Sequence, residues 1–160
     1  MKLASALLLA LSIIAAASPV NAANDTPPKI TAIRAQLYYE GAGKFSDDVL
    51  VQKDLSLWNT IIGEGSADGA SNYTLVTVEV QGKDMPVGAV KIRVEARDSK
   101  RKIVARQTSV VSLYADKTHF NAPLFLYDTG CDEIEVSAYL LGKGIKKRVV
   151  KAKIPFACGE

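Results

Sequence analysis

The sequence predicts an all-β protein in which two antiparallel sheets pack face to face, with about seven to nine strands. Two observations carry that expectation. Apolar and polar residues alternate with a period of two in several separate segments, and turn-forming residues stand between those segments. No heptad, internal repeat or charge block is visible.

The first 22 residues read as a signal peptide. Lys2 supplies the positive start, residues 3–17 are an apolar run too short to span a bilayer comfortably, and Val20 and Ala22 are small residues at the minus-three and minus-one positions of a cleavage site. No cysteine follows that site, so a lipid anchor is not expected, nor is an integral membrane segment in the mature form. Residues 23–160, about 138 residues, suffice for one domain that removes roughly two-thirds of its unfolded surface from water. Losing Lys2 leaves 19 cations against 17 anions, a net charge of +2. That balance argues against a nucleic-acid partner. The expected location is the bacterial periplasm or the extracellular space.

The strands follow in order. From Lys29 to about Tyr39, Ile33, Ala35, Leu37 and Tyr39 oppose Arg34, Gln36 and Glu40. Asp54–Gly63 is ambiguous: Asp54 suits a helix cap, but Thr60, Ile61 and Ile62 favour a strand, and strand or irregular structure is expected. Residues 63–72, GEGSADGASN, are a loop by composition. Thr74, Val76, Val78 and Val80 then alternate with Leu75, Thr77, Glu79 and Gln81, and Val90, Ile92, Val94 and Ala96 alternate with Lys91, Arg93, Glu95 and Arg97. Asp98–Arg101 turns that strand into one through Ile103, Ala105 and Val111. A further strand covers Ala122 to Tyr127, with Pro123 near its start, where a missing donor does least harm. The last two carry Ile134, Val136, Ala138 and Leu140, then Val150, Ala152, Ile154 and Phe156. Gly142-Lys143-Gly144 predicts a tight hairpin between them.

Cys131 and Cys158 are the two cysteines. An even count in an exported chain reads as one disulfide, and closing a loop of about 28 residues contributes roughly 3–4 kcal/mol in the chain-entropy model.

From Tyr73 to Cys158, the segments TLVTVEV, AVKIRVEARDSKRKIVAR and CDEIEVSAYLLGKGIKKRVVKAKI resemble the immunoglobulin-like and fibronectin type III-like sandwiches of exported bacterial proteins. The resemblance implies an Ig-like sandwich over residues 23–160 that binds, spaces or scaffolds. The chain departs from antibody domains in placing its cysteines on the last hairpin, where they cannot make the usual bridge between sheets, and Trp58 outside the matched part.

Candidate chemistry is sparse. His119 is the sole histidine, so every Ser-His-Asp arrangement must pass through it, and no nucleophile motif flanks it. Two cysteines and one histidine do not make a zinc site, Asp128, Asp132 and Glu133 lack the spacing of a calcium loop, and the glycines near Gly63 lack the lysine and helix of a phosphate cradle. No metal or cofactor is expected. Loops on a rigid sandwich carry function, which makes the region from Trp58 to Asn72 the candidate contact surface, with Trp58, Asn59, Glu64 and Asp68 as its binding residues. The plain alternative for Trp58 is a core residue. Lys91, Arg93 and Arg97 on one strand and Lys147, Lys151 and Lys153 on another make a basic face if adjacent, or protect an edge if not. Sequons at Asn24 and Asn72 are expected to stay unmodified in a bacterial host.

The expected function is a non-catalytic binding or scaffold module whose partner is another envelope or extracellular protein. The alternatives are a small hydrolase or lyase using loop carboxylates such as Glu64 and Asp128, and a periplasmic chaperone or assembly subunit acting by strand pairing.

Overall fold

Side chains on a strand point alternately to its two faces, so a strand with every second residue apolar must cover one face with another layer. A computed structural model of the protein describes residues 27–83, 85–114 and 117–159, and the signal peptide expected over residues 1–22 lies outside the described residues. Eight strands form among them: β1 (Lys29–Tyr39), β2 (Lys44–Phe45), β3 (Tyr73–Gln81), β4 (Val90–Arg97), β5 (Ile103–Val110), β6 (His119–Tyr127), β7 (Ile134–Gly142) and β8 (Val150–Ile154). They make two four-stranded antiparallel sheets, ordered β2-β1-β3-β6 and β5-β4-β7-β8. The expected fold class, an all-β antiparallel two-sheet sandwich, is the observed one. The chain crosses between sheets after β3, β5 and β6, as Greek-key sandwiches do.

The core lies where the alternation predicts. Val76, Val78 and Val80 of β3 are fully buried, as are Ile92, Val94 and Ala96 of β4 and Val136 and Ala138 of β7. Each fully buried Val or Ile contributes about 1.5–3 kcal/mol. On β8 only Ile154 and the following Phe156 are buried, because β8 is an edge strand and Val150 and Ala152 keep one side wet.

The turn at Asp98–Arg101 forms as expected. Arg101 N donates to Asp98 O at 2.9 Å, Lys102 N donates to Asp98 Oδ1 at 2.8 Å, and Arg101 takes the left-handed conformation at φ 67°. The last hairpin differs from expectation. Ile145 N bonds Gly142 O and Gly144 has φ 77°, so the chain turns where the glycines stand. Pairing nevertheless stops at Ala138↔Val150, and β8 begins only at Val150. Lys146, Lys147 and Arg148 are three consecutive cations that stay in water, and Lys147 reaches back to place its ammonium 4.4 Å from the Tyr139 ring centre. The connection is therefore a splayed arm, not a tight hairpin.

Asp54–Gly63 is irregular, as expected, apart from one 3-10 turn at Thr60–Ile62, where the residues that favour a strand take a single helical turn instead. Left-handed residues on both sides, Asn59 at φ 45° and Gly63 at φ 82°, stop that turn from extending. Trp58 is 43% exposed and so is not the core residue of its plainer reading. A parallel bridge to Ala157 holds its backbone against the C-terminal segment, with the indole against Gly159.

Candidate functional site

The loop residues singled out in the sequence lie at the end of the sandwich that carries the disulfide. Cys131, in the β6–β7 crossover, is bonded to Cys158, with their Cα atoms 4.6 Å apart. Thr60 Oγ1 donates to Gly130 O beside it. Asn59 is spent on structure: its Nδ2 donates to Glu64 Oε2 at 2.6 Å, its Oδ1 accepts from Gly159 N at 3.0 Å, and its backbone N donates to Ala157 O. Asp68 lies 3.5 Å from Lys44 in an exposed ion pair. The structure thus gathers Trp58, Asn59 and Glu64 into a clasp on the C-terminal segment, while Asp68 turns toward β2. Asp132 Oδ2 accepts from Ser99, and Glu133 pairs with Lys153 at 2.9 Å, so these two acids face different neighbours. His119 is exposed, with Nδ1 3.0 Å from Thr118 Oγ1 and Nε2 3.8 Å from Glu79 Oε1.

The two basic rows are not adjacent. β7 separates β4 from β8, and its acids neutralise much of the face: Lys151 pairs with Glu135 at 2.9 Å, and Arg97 and Arg106 hold Glu95 at 3.1 and 3.0 Å. The hydrogen bond from Lys151 is the main cause that keeps the Glu135 carboxyl below its ordinary value of 4.5, and the bond to Glu133 raises Lys153 above 10.5.

A different surface stands out on the outer face of the first sheet. The register aligns Phe45 of β2, Tyr38 of β1, Tyr73 of β3 and Tyr127 of β6 in one row across all four strands. Three strand spacings make that row about 14 Å long. Tyr38 leans on Phe45 with ring centres 5.1 Å apart, and Tyr73 leans on Tyr127 at 4.8 Å. The next row holds Gln36, Leu75 and Phe125. Tyr38, Phe45, Tyr73, Leu75 and Phe125 line a shallow depression of about 340 Å³.

Farther along the same face the surface becomes polar and self-satisfied. Arg34 Nη2 donates to Asn121 Oδ1, and Glu79 accepts from Thr31 Oγ1 at 2.8 Å. The phenol hydroxyls of Tyr38, Tyr73 and Tyr127, by contrast, meet no hydrogen-bond partner among the described residues. A platform of ring faces edged by unclaimed hydroxyls suits contact with something both apolar and polar.

Sequence reasoning missed this site. Its signal was present: Tyr38, Tyr73, Leu75, Phe125 and Tyr127 share the parity of polar residues such as Gln36, Thr77 and Asn121 on their strands. Large rings on a wet face are the anomaly that parity alone exposes.

No protein-family model matches the chain, and no curated protein matches it in sequence. Similar solved structures include a glycosyl hydrolase family 2 member from Bacteroides cellulosilyticus, with 18% identity, a TM-score of 0.41, and 51% of this chain covered against 12% of that one. A β-glucuronidase of glycoside hydrolase family 2 has 11% identity and a TM-score of 0.40 over 53% of this chain and 10% of its own. A putative β-galactosidase from Bacteroides fragilis has 13% identity and a TM-score of 0.42 over 51% and 13%. The matched part is a small fraction of each of those proteins.

Proposed function

We propose that this protein is a non-catalytic, exported Ig-like module that binds another protein of the bacterial envelope or extracellular space through the aromatic outer face of its first sheet. The observation that carries this reading is the four-ring row Phe45, Tyr38, Tyr73 and Tyr127 with Leu75 and Phe125 beside it.

Phe45 is 44% exposed, Tyr73 41%, Phe125 62% and Tyr127 65%. At about 200 Å² per ring, these four leave about 400 Å² of apolar surface in water, the size at which a monomer's largest patch is often functional. That is about half of what one partner contributes to a standard protein interface. The rings therefore suit the dry centre of a footprint whose polar rim is Gln36, Arg34 and Asn121. Tyrosines supply such area at small entropic cost because they have few torsions to fix.

The disulfide supports an oxidising compartment. Strand pairing is less favoured: the edge strands β2 and β8 are short, and β5 and β6 close on each other across the gap between the sheets. The hydrolase alternative is less favoured because Glu64 is held by Asn59 Nδ2 at 2.6 Å as part of the clasp on the C-terminal segment. A second reading, a neutral glycan laid along the row, is favoured by the three unclaimed phenol hydroxyls.

The test is affinity capture from the native envelope fraction with wild type, F125S/Y127S and W58A. A partner retained by wild type and W58A but lost by F125S/Y127S supports the aromatic face. Loss with W58A alone moves the site to the Trp58–Asn72 region. If no protein is retained but mobility is slowed in a polysaccharide gel, with the slowing abolished in F125S/Y127S, the glycan reading replaces the protein partner.

A further inference from the structure

The splayed β7–β8 connection opens a cleft that a tight hairpin would have closed. Its volume is about 590 Å³, and it lies between Pro27, Pro28, Lys29 and Ile30 at the start of β1 on one side and Leu140, Ile145, Arg148 and Val150 on the other. One wall belongs to the first sheet and the other to the second, so the cleft is a lateral opening into the space between them. Its walls reach the core: Leu140 is a core residue, and Ile30 and Ile145 pack against the core cluster. The volume lies within the range of small-molecule sites, about 300–1,000 Å³.

The described charges at its mouth have one sign. Lys29, Lys146 and Arg148 are exposed, and among the described residues no aspartate or glutamate lines the cleft. None of the three cations meets a carboxylate among the described residues, whereas Lys151 and Lys153 nearby on β8 are each paired with a glutamate. An apolar slot with unpaired cations around its entrance is complementary to a molecule that is apolar along its length and anionic at one end.

We propose that this cleft binds a single-chain anionic amphiphile, with its acyl chain against Ile30, Leu140, Ile145 and Val150 and its carboxylate among Lys29, Lys146 and Arg148. The site is separate from the aromatic face and stands or falls independently of it. The arm from Lys143 to Val149 forms one wall, and it lies beyond the strand pairing, which stops at Ala138↔Val150.

The experiment is calorimetric titration of the protein with decanoate below its micelle concentration, with 1-decanol and butyrate as separate arms. Decanoate is expected to bind one to one, at least tenfold more tightly than either, and to weaken as sodium chloride is raised. Equal binding of decanol reduces the site to an apolar crevice, and equal binding of butyrate reduces it to diffuse basic charge; either result, or no binding of decanoate, overturns the proposal. K146E/R148E, both at exposed positions, is expected to lower affinity for decanoate at least tenfold, and unchanged affinity in the folded variant overturns the site. Should that variant fail to fold, the wild type still decides: a spin-labelled decanoate must broaden the amide signals of Ile30 and Ile145, and broadening centred elsewhere refutes the assignment.

Discussion

Glu95 provides the sharpest test of the energetics. It stands on the water-facing side of β4, yet it is only 7% exposed, because Arg97 and Arg106 close over its carboxylate at 3.1 and 3.0 Å. Replacing it by glutamine keeps the shape and removes the charge. The charge-assisted hydrogen bond from Arg97 is worth about 1.5–3 kcal/mol net, and the ion pair with Arg106 adds to it. The side chains of Arg97 and Arg106 are 31% and 49% exposed, so water screens the outer half of the cluster and the expected loss is about 2 kcal/mol. For a domain of this size that lowers the melting temperature by about 6–10 °C. Urea and thermal melts of E95Q against wild type measure it, repeated in 1 M sodium chloride. Because the carboxylate is buried, the loss should persist in high salt, unlike that of an exposed pair. A loss under about 0.5 kcal/mol, or one that vanishes in salt, refutes the idea that burial makes this cluster structural.

Four further outcomes are expected. Gly65→Ala should destabilise the protein by about 2 kcal/mol or more, since Gly65 has φ 72° and an added Cβ would sit 2.5 Å from Ser56 O. Gly69→Ala, with open space around it, should change the urea midpoint little. Removing the disulfide as C131S/C158S should cost about 3–4 kcal/mol in the same melts, given a sequence separation of 27 residues. The Lys151–Glu135 pair has a defined acid limit. The folded Glu135 carboxyl titrates below 4.5, so its stabilisation is present above that value and is lost as pH falls through the folded pKa. The melting difference between wild type and K151Q should therefore be visible at neutral pH and disappear in strong acid; a difference that grows on acidification contradicts the sign.

The core was legible because alternation is a direct projection of strand geometry: Val76, Val78, Val80 and Ile92, Val94, Ala96 needed no tertiary knowledge to be assigned inward. The turn at Asp98 was legible for a similar reason, since its side chain closes the turn locally. What escaped was decided by distant partners. Trp58 lies outside because Ala157 and Gly159, a hundred residues on, hold that segment. The aromatic row needs the register of four strands drawn from three stretches of chain, and no single stretch displays it. The β7–β8 arm misled for a local reason, because the glycines mark where a chain reverses but not how soon the two sides pair again.

The clasp at the C-terminal segment determines how the domain carries tension. Ala157 N bonds Leu57 O, Gly159 N bonds Asn59, and Cys158 is tied covalently to Cys131 in the crossover that leads into β7. A pull applied at the last residues therefore enters the fold through sulfur at the head of β7, leaving the short β8 ladder slack. While the Cys131–Cys158 bond is intact, such a pull does not load β8 directly.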